Sequence, residues 1–336
     1  MPFSISLGKS SGTGSVRPAP LLSSVPGEAR IAGGQREMES ATIKNSRRGG
    51  VSVASLRKYR RYVPLPLLRC TKRILLKLLD FRAWVARDRR KGLPPASIRW
   101  LAGDGDFEAI GAEFLGYLTN LCGLQPHHKV LDLGCGPGRM ALALSRYLTS
   151  DGGYTGIDIV SESIDWCRAN ITRQFPGSTF IHADVYNRKY NPGGTLQPAE
   201  YRLPFPDGKF DLVLLTSLFT HMLPRDVDHY LQEVSRVLRA TGKCLVTFFL
   251  LNAESLRLIS MCKGAASFKY HYDVYAIEDP REPELAVAYD EGYIFDLFAR
   301  SSLEVERSPY YGSWPGRSDY TSYQDMVVVV KRSSAR

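Results

Sequence analysis

The sequence predicts an α/β fold with a seven-stranded, mostly parallel sheet and helices on both faces. Two observations lead to this prediction. From Asp104 onward, short apolar runs alternate with stretches whose apolar residues recur at helical spacing, a pattern typical of parallel sheets. In addition, 44% of the 336 residues are hydrophobic and 23% are charged, which is typical of a globular protein with a sizeable core.

The chain before Asp104 has a different composition and divides into two predicted regions. Residues 1–55 are rich in Ser, Gly and Pro and poor in large apolar side chains, so we expect a disordered tail. Residues 56–103 are predicted to form a basic amphipathic helical arm, and residues 104–336 the α/β domain. The N-terminus lacks the basic and apolar regions of a secretory signal, which favours a cytoplasmic location.

The arm region carries most of the positive charge. Residues 42–91 contain 16 Lys and Arg but only Asp80 and Asp88, a local charge of +14, whereas the whole chain has a net charge of +10. The remainder of the chain is therefore mildly acidic, at −4. This distribution argues against a polyanion in the site of the α/β domain, and nucleic acid is an unfavoured partner.

Residues 66–91 favour a helix with apolar residues along one side, and two interpretations of that side remain open. Pro66 suits the first helical turn and Gly92 suits the end. The apolar side either packs on the α/β domain or a partner chain, or it lies on an anionic membrane surface with Phe81 and Trp84 in the interface. Any membrane contact would be peripheral, because no apolar run approaches the about 18 residues of a spanning helix.

The elements of the α/β domain follow in order. Asp106 suits the N-cap of a first helix, whose apolar positions Phe107, Ile110, Phe114 and Leu118 share one face. The strands are predicted at KVLDLG, YTGIDIV, TFIHADV, FDLVLLTS, GKCLVTFFLL, LEVERSPYY and QDMVVVVK. The further helices are predicted at RMALALSRYL, SIDWCRANITRQF, PRDVDHYLQEVSRVL and DEGYIFDLFARS.

A glycine-rich turn joins the first strand to its helix. It reads Val130-Leu131-Asp132-Leu133-Gly134-Cys135-Gly136-Pro137-Gly138-Arg139, with the glycines spaced as GxGxG after an acidic residue. Open α/β sheets bind ligands at such turns, where glycine lets the backbone approach closely. The spacing differs from the GxGxxG of dinucleotide sites, in which a helix N-terminus meets a pyrophosphate.

This turn, with later motifs in register, resembles motif I of the class I S-adenosylmethionine-dependent methyltransferases. The resemblance covers roughly residues 104–332. It implies a Rossmann-like sheet with an antiparallel final strand and S-adenosyl-L-methionine as the cofactor. No metal site is predicted, because the six cysteines include no CxxC pair and no Cys/His cluster at zinc-ligand spacing. The cofactor-binding residues that the resemblance implies are Asp132, Gly134, Cys135, Gly136, Gly138, Asp158, Ile159, Asp184, Val185 and Thr216.

The resemblance also implies separate roles for three acidic residues. Asp132 suits the positively charged amino-acid end of the cofactor, and Asp158 at the end of the second strand suits both ribose hydroxyls. Asp184 matches the position that meets the adenine amino group, with Val185 alongside the ring. The chain departs from the family's usual Pro-Gly-Gly at residues 240–242, a turn that shapes the fold rather than the chemistry.

The segment after the fourth strand, residues 216–224, contains the candidate catalytic residue. Methyl transfer is an in-line displacement that mainly requires alignment of a nucleophile, but a hydroxyl acceptor must also lose a proton. His221 is the candidate general base. It has an equally good interpretation as a histidine hydrogen-bonded near a helix start. The other histidines considered, His127, His128 and His229, are predicted to be structural or solvated.

Two long connections and one late segment are predicted to bind the methyl acceptor. Residues 186–208 and 252–290 are unusually long connections, and long loops at strand ends are often lids or binding elements. Their tyrosines suit stacking on a sugar or an aromatic ring, or packing at the domain edge. The segment 310–314, with Trp314 and Arg317, is predicted to complete the cleft.

The favoured function is methyl transfer to an oxygen or nitrogen of a small molecule, lipid head group or glycan. A catalytically silent S-adenosylmethionine-binding scaffold or regulatory subunit is one alternative. RNA methylation steered by the basic arm is another. DNA modification is disfavoured, because the fourth strand is followed by neither Asn/Asp-Pro-Pro-Tyr nor a Pro-Cys nucleophile.

Overall fold

The computed structural model describes residues 65–85, 92–103, 105–264, 266 and 268–332. The predicted disordered tail, residues 1–55, lies outside the described residues, as do the first part of the predicted arm and residues 86–91. The boundaries of the three predicted regions stay predictions.

Eight α-helices occur in the described part of the chain. They are α1 Leu65–Val85, α2 Ala96–Arg99, α3 Phe107–Asn120, α4 Arg139–Tyr147, α5 Ser161–Cys167, α6 Pro224–Val237, α7 Ala253–Ser260 and α8 Glu291–Arg300. Short 3₁₀ turns include Phe219–His221 and Pro283–Leu285, and a π-helical turn at Arg168–Thr172 extends α5. The predicted cap of the first domain helix is confirmed, because the Asp106 carboxylate accepts from two backbone N–H groups of α3.

Seven of the strands form the main sheet, in the order β10-β11-β5-β4-β1-β2-β3. Their bounds are β1 Lys129–Leu133, β2 Gly153–Asp158, β3 Ser178–His182, β4 Phe210–Leu215, β5 Leu238–Phe248, β10 Leu303–Val305 and β11 Asp325–Lys331. Strands β1 to β5 pair in parallel, whereas β11 runs antiparallel to both β5 and β10. The predicted fold class, including the antiparallel final strand, is confirmed.

Helices cover both faces of the main sheet, as alternate residues of β4 demonstrate. Leu212 and Leu214 pack with apolar residues of α3, α4 and α5 on one face. Val213 and Leu215 pack on the other face with apolar residues of α6 and α8. Because strand side chains point alternately to opposite faces, a strand that is apolar throughout must lie between two layers. The continuous apolar runs of the sequence reflect this arrangement.

The connection at residues 252–290 is more regular than the sequence predicts. It forms α7 and most of a second, four-stranded sheet in the order β6-β9-β8-β7. The strands are β6 Leu250–Leu251, β7 Tyr270–His271, β8 Tyr275–Ile277 and β9 Val287–Asp290. They are too short to give a recognisable alternation of apolar and polar residues, which explains why the sequence pattern indicates only an insertion.

A buried carboxylate joins the two sheets. Asp325, the first residue of β11, is fully buried and accepts from the backbone N–H groups of Leu250 (2.8 Å) and Gly312 (2.7 Å). It also accepts from Trp314 Nε1 (2.7 Å) and from Arg317 Nη1 (3.0 Å). Since Leu250 belongs to β6 and Asp325 to β11, this cluster fixes one sheet relative to the other.

The prediction that Trp314 and Arg317 complete an acceptor cleft is therefore wrong. The Trp314 side chain is fully buried, and Arg317 is 7% exposed. The Arg317 guanidinium also pairs with Glu254 Oε2 at 2.8 Å. Both side chains satisfy a buried charge instead of facing a ligand. The predicted strand over LEVERSPYY is likewise shorter than expected, since β10 covers Leu303–Val305 and Tyr310 makes only an isolated bridge to Met326.

Candidate functional site

The predicted cofactor residues come together along one edge of the main sheet. Strands β4, β1, β2 and β3 are neighbours in that order and run parallel, so their carboxyl ends meet at the same edge. At or just after these ends lie the predicted residues: Thr216 at β4, the glycine loop (residues 134–138) at β1, Asp158 and Ile159 at β2, and Asp184 and Val185 at β3. The sheet therefore places four separate segments of the sequence side by side.

The glycine loop has a backbone conformation that requires glycine. Gly134, Gly136 and Gly138 have φ angles of 78°, 51° and 81°, in the left-handed region that other residues rarely adopt. The backbone N–H groups of Gly134 and Cys135 donate to Ile157 O at 2.8 and 3.0 Å. The loop is thus held against the end of β2, with a tightly turned backbone.

The three glycines differ in what a side chain would meet. A Cβ atom on Gly138 would lie 2.5 Å from Ile171 Cδ1, so this glycine allows close packing of α4 on α5 and its π-helical turn. A Cβ on Gly134 would lie 3.3 Å from Leu218, which covers the loop from the segment after β4. A Cβ on Gly136 would meet nothing within 4 Å. Gly136 therefore faces the open space that a ligand can fill.

Asp158 fixes the centre of the glycine loop. Its Oδ2 accepts from Gly136 N–H at 2.7 Å, and its Oδ1 accepts from Val160 N–H at 2.8 Å. Burial raises the pKa of Asp158, although these backbone donors favour the charged form. A carboxylate has about four lone-pair sites, so each oxygen keeps one for a further donor such as a ribose hydroxyl.

Asp132 lies at the end of β1, beneath the loop, and is fully buried. Its Oδ2 accepts from the Tyr154 hydroxyl at 2.6 Å, whereas its Oδ1 has no hydrogen-bond partner among the described residues. Burial raises the pKa of Asp132 to about 7. A buried acceptor without a partner is costly, and a ligand ammonium is the kind of donor that removes this cost.

The Cys135 side chain packs inside the domain, and its role in cofactor binding stays a prediction. The thiol is buried and lies 3.7 Å from Gly136 O, and the Cys135 carbonyl accepts from Gly138 N–H at 3.1 Å. A Cβ on Gly156 would lie only 2.8 Å from the Cys135 sulfur. The residue therefore supports the loop through its packing on β2.

The predicted adenine end of the site lies beyond β3. Asp184 is exposed, and its Oδ2 accepts from the Thr195 hydroxyl at 2.6 Å, a hydrogen bond that lowers the pKa of Asp184. Val185 is buried and pairs with Leu196 in an isolated parallel bridge. The first part of the long 186–208 connection thus folds back beside the carboxylate, which stays accessible and charged at neutral pH.

His221 lies in the 3₁₀ turn after β4, and its backbone N–H donates to Leu218 O at 3.0 Å. Its Nδ1 lies 3.0 Å from the carbonyl oxygen of Glu284. Because a carbonyl only accepts, Nδ1 carries the proton and Nε2 keeps the lone pair. Burial, followed by the charge of Lys189, lowers the pKa of His221 to about 4, so the ring is neutral at pH 7.

Both long connections meet at His221. The Asn187 amide donates to Glu284 Oε2 at 3.0 Å, and Arg188 Nη1 donates to Arg281 O at 2.8 Å. The Tyr190 ring contacts the His221 ring edge-to-face, with centroids 5.7 Å apart. Residues 186–208, 217–224 and 252–290, which we call the acceptor side, therefore form one packed region next to the glycine loop.

Other predicted aromatic and histidine positions lie away from this contact. Tyr270 and Tyr272 are each 47% exposed on the small sheet, and Tyr272 stacks on Tyr275. His229 Nε2 lies 2.9 Å from Tyr201 O, which agrees with the structural position predicted for it.

Sequence reasoning missed a polar cluster at the same edge. The Ser217 N–H donates to Thr247 Oγ1 at 2.8 Å, and the Ser217 hydroxyl donates to Gln324 Oε1 at 2.9 Å. Thr247 Oγ1 also donates to Gln324 Oε1, at 2.6 Å. Ser217 has a φ of 55°, a strained conformation that often occurs at functional sites. Thr247 was detectable as the polar residue within the apolar run of β5, whereas Gln324 carries no such signal.

No group of three or more His, Cys, Asp or Glu side chains in the described residues is arranged to hold a metal ion.

Comparisons with known proteins find methyltransferases. Residues 130–242, about a third of the chain, match the protein family described as methyltransferase domain. A 2-phytyl-1,4-naphtoquinone methyltransferase of Nostoc sp. is 27% identical over 129 residues, which are 38% of this chain and 49% of that protein. An uncharacterized methyltransferase of Bacillus subtilis, YcgJ, is 32% identical over 135 residues, 40% of this chain and 46% of that protein. The chain thus spans about half the length of these curated relatives.

Among solved structures, a SAM-dependent methyltransferase from Aquifex aeolicus aligns with a TM-score of 0.44 and 16% identity, over 71% of this chain and 99% of that chain. A 1,6-didemethyltoxoflavin-N1-methyltransferase from Burkholderia thailandensis, solved with S-adenosylhomocysteine, aligns with a TM-score of 0.45 and 16% identity, over 70% and 82% of the two chains.

Proposed function

We propose that this chain, which belongs to the class I S-adenosylmethionine-dependent methyltransferase family through its residues 130–242, methylates an oxygen or nitrogen of a small molecule, lipid head group or glycan. S-adenosyl-L-methionine is the cofactor of this family. The proposal includes the binding of this cofactor to the glycine loop and to the acidic residues at the strand ends, as well as the class of the acceptor.

The geometry of the glycine loop and of the two carboxylates beside it carries the proposal. Gly136 turns in the left-handed region with open space where its side chain would be, and Asp158 holds its N–H group from the neighbouring strand. Beneath the loop, Asp132 Oδ1 lies buried without a partner among the described residues. A closely approachable backbone beside two carboxylates fits a ligand with an ammonium and a diol, and no phosphate.

The predicted cofactor residues at the carboxyl ends of β1 to β4, which we call the cofactor edge (residues 132–138, 158–159, 184–185 and 216), have separate roles in binding. Asp132 accepts a hydrogen bond from the ammonium, and Asp158 uses its remaining lone pairs for the ribose hydroxyls. Asp184 accepts from the adenine amino group, with Ile159 and Val185 along the ring and Thr216 beside the glycine loop. When bound, the cofactor supplies a methyl group on a positively charged sulfur, which a nucleophile can displace in line.

His221 is the residue of the acceptor side best suited to receive a proton. Its Nδ1–H is held by Glu284 O, so the ring orientation is set and Nε2 is the basic nitrogen. A pKa of about 4 keeps the ring neutral across the physiological range. The same value makes it a weak base, which suits an acceptor that loses its proton late, as the bond to carbon forms.

Three observations support a small molecule, lipid head group or glycan as the acceptor. The curated relative in Nostoc has a methyltransferase name that refers to a naphthoquinone, which is a small molecule. Outside residues 42–91 the chain has a net charge of −4, which disfavours a polyanionic acceptor in the cleft. The tyrosines of the two long connections provide flat apolar surfaces that suit rings of sugars or aromatic compounds.

Methyl transfer to a panel of acceptors, measured with methyl-labelled S-adenosylmethionine, tests the reaction. We expect labelled product from at least one small molecule, lipid or glycan, and loss of that product in Asp158→Ala. Calorimetry on the same variant should show affinity for S-adenosylmethionine reduced by more than about tenfold, since a ribose contact and the support of Gly136 are both lost.

The same two measurements separate this proposal from its alternatives. Cofactor binding with no turnover on any acceptor would indicate a silent scaffold or regulatory subunit. Turnover on RNA that disappears when residues 42–64 are deleted would indicate an RNA methyltransferase. Unchanged affinity in Asp158→Ala would contradict the assignment of the site itself.

A further inference from the structure

Helix α1 is attached to the α/β domain along one side of its residues 72–80. Among the side chains of α1 that the structure describes, Leu76 is the buried apolar one, at 9% exposure. The Asp80 carboxylate accepts from the backbone N–H groups of Ala96 and Ser97, at 2.6 and 2.9 Å, and so caps α2. On a helix of 3.6 residues per turn, positions four apart lie on the same side. Leu76 and Asp80 therefore define the attached side.

Two cations next to this side are already engaged. Arg73 Nη2 lies 2.7 Å from Glu162 Oε2 on α5, and Lys72 Nζ lies 5.0 Å from the centre of the Trp100 ring. These contacts fix the rotation of α1 about its own axis. The opposite side consequently points into solvent in the described structure.

That opposite side is apolar. Ile74, Leu78, Phe81 and Val85 are 56%, 56%, 60% and 61% exposed, and they follow one another at intervals of four, three and four residues. This spacing puts them in a single line, which we call the exposed stripe. Burying such side chains is favourable, so four in a line form a surface for a partner.

The charges beside the exposed stripe are all positive. Lys77 and Arg82 are exposed and lie on either flank of the stripe, at helical angles about 60° from its line. The single acidic residue of α1 is Asp80, whose two oxygens are both used on the attached side. A partner of this surface must accept apolar side chains in its interior and cations at its rim.

We propose that the exposed stripe of α1 binds the surface of a membrane that contains anionic lipids. The four apolar side chains enter the boundary between head groups and acyl chains, while Lys77 and Arg82 contact lipid phosphates. The contact is interfacial, since none of the described helices has the length and apolar character needed to cross a bilayer. This surface is separate from the proposed methyl-transfer site.

Charge and chemistry distinguish this partner from two others. A second copy of α1 packed on the same stripe would bring the Lys77 and Arg82 of both chains together, and like charges repel. A nucleic acid would satisfy the cations but leave the apolar line against a polyanion or water. The density of Lys and Arg in residues 42–91, with a local charge of +14, further favours an anionic surface.

Co-sedimentation of the full chain with lipid vesicles tests the proposal. We expect binding to vesicles of phosphatidylcholine mixed with phosphatidylserine and much weaker binding to phosphatidylcholine alone. The triple variant Ile74→Gln, Leu78→Gln, Phe81→Gln keeps good helix formers on α1 and should weaken binding by more than about tenfold. The double variant Ile74→Gln, Leu78→Gln should also weaken binding, and its matched control is Leu256→Gln, Met261→Gln, which replaces two exposed apolar side chains elsewhere and should leave binding unchanged.

A second variant pair tests the charges. Lys77→Glu, Arg82→Glu should weaken binding to the anionic vesicles by about tenfold or more, because each cation near such a surface contributes about fivefold. Arg173→Glu, Arg307→Glu makes the same change of net charge on exposed residues away from α1 and should have little effect. Circular dichroism and thermal melting of each variant verify that the fold is retained.

The outcomes decide between partners. Equal loss of vesicle binding in the α1 variants and in their controls overturns the proposal, as does equal binding to vesicles with and without phosphatidylserine. A dimer that dissociates in the triple variant, with no vesicle binding by the original chain, assigns the stripe to a second copy and also overturns it. Binding of RNA that is lost in Lys77→Glu, Arg82→Glu but kept in the triple variant also overturns the proposal.

Discussion

The cofactor edge and the acceptor side lie next to each other but are assembled differently. In the cofactor edge, each residue lies in the last two positions of its own strand or within a few positions after it, and the hydrogen bond from Gly136 N–H to Asp158 spans 22 positions. On the acceptor side, the links from Asn187 to Glu284 and from Arg188 to Arg281 span 97 and 93 positions. Local sequence thus specifies the first region, whereas the second depends on how distant insertions pack together.

The largest effect expected from this difference concerns the carboxylate that joins the two sheets. Asp325→Ala removes the acceptor of four hydrogen bonds and one of the two carboxylates that pair with the buried Arg317. We expect a loss of about 3–5 kcal/mol in the free energy of unfolding, measured in urea. A loss below about 1 kcal/mol would mean that the acceptor side does not depend on this junction.

Substitutions in the glycine loop should separate stability from binding. Gly138→Ala places a Cβ 2.5 Å from Ile171 in a left-handed conformation, and it should lower stability by about 2–4 kcal/mol. Gly136→Ala is the matched control, because it shares the left-handed conformation but meets no atom within 4 Å.

For Gly136→Ala we expect a stability loss of only about 1–2 kcal/mol, together with affinity for S-adenosylmethionine reduced by more than about tenfold, since the Cβ would fill ligand space. Denaturation and calorimetry on both variants provide the comparison. Similar effects of the two substitutions on binding would argue that the open space at Gly136 is not where the ligand lies.

The pH dependence of stability tests the burial of His221. Its pKa falls from 6.5 to about 4 on folding, so between these values the unfolded chain binds a proton that the folded chain does not. Stability should therefore decrease as the pH falls through this window, by about 1.4 kcal/mol per pH unit from this group. His221→Gln removes this contribution, and unfolding curves at several pH values should show a shallower decrease. Parallel curves for the two proteins would contradict the assignment.

Asp132 opposes this trend and must be considered in the same measurement. Burial raises the pKa of Asp132 from 3.8 to about 7, so the folded chain holds a proton that the unfolded chain releases between these values. Its contribution to stability is present at low pH and is lost as the pH rises towards 7. The difference between the original chain and His221→Gln isolates the histidine, because Asp132 is common to both.

The smallest expected effect concerns the link between the two long connections. Asn187→Ala removes the hydrogen bond to Glu284, together with the two that its Oδ1 accepts from the Lys189 and Tyr190 N–H groups, and should cost about 1–2 kcal/mol of stability. Once an acceptor is known, its KM should rise several-fold, while the affinity for S-adenosylmethionine stays the same. Weakened cofactor binding would show that the acceptor side and the cofactor edge are not independent.

The parts of the fold that were predictable share a physical basis. Buried parallel strands need continuous apolar runs, and β1 and β4 display them in the sequence as KVLDL and FDLVLL. The turn after β1 needs glycines because of its left-handed backbone, so the loop was visible from residue types alone. Asp158 was predictable for a similar reason, since it stands at the last position of β2.

The parts that were not predictable depend on partners far away in the chain. Arg and Trp are residue types that often occur at binding surfaces. Arg317 and Trp314 are buried instead, because Asp325 needs donors at the junction of the two sheets. The small sheet has strands of two to four residues, which give no periodic signal. Gln324 acquires its place beside Ser217 only because β11 lies next to β5.

The sequence by itself determined the order of strands and helices, the glycine loop and the acidic residues at the strand ends, because each depends on neighbours within a few positions. Tertiary structure alone decided that Asp132 Oδ1 has no hydrogen-bond partner among the described residues, that His221 is neutral beside Glu284, and that one side of α1 stays exposed. Burial and pairing depend on what packs against a residue, and that neighbour comes from a distant part of the chain.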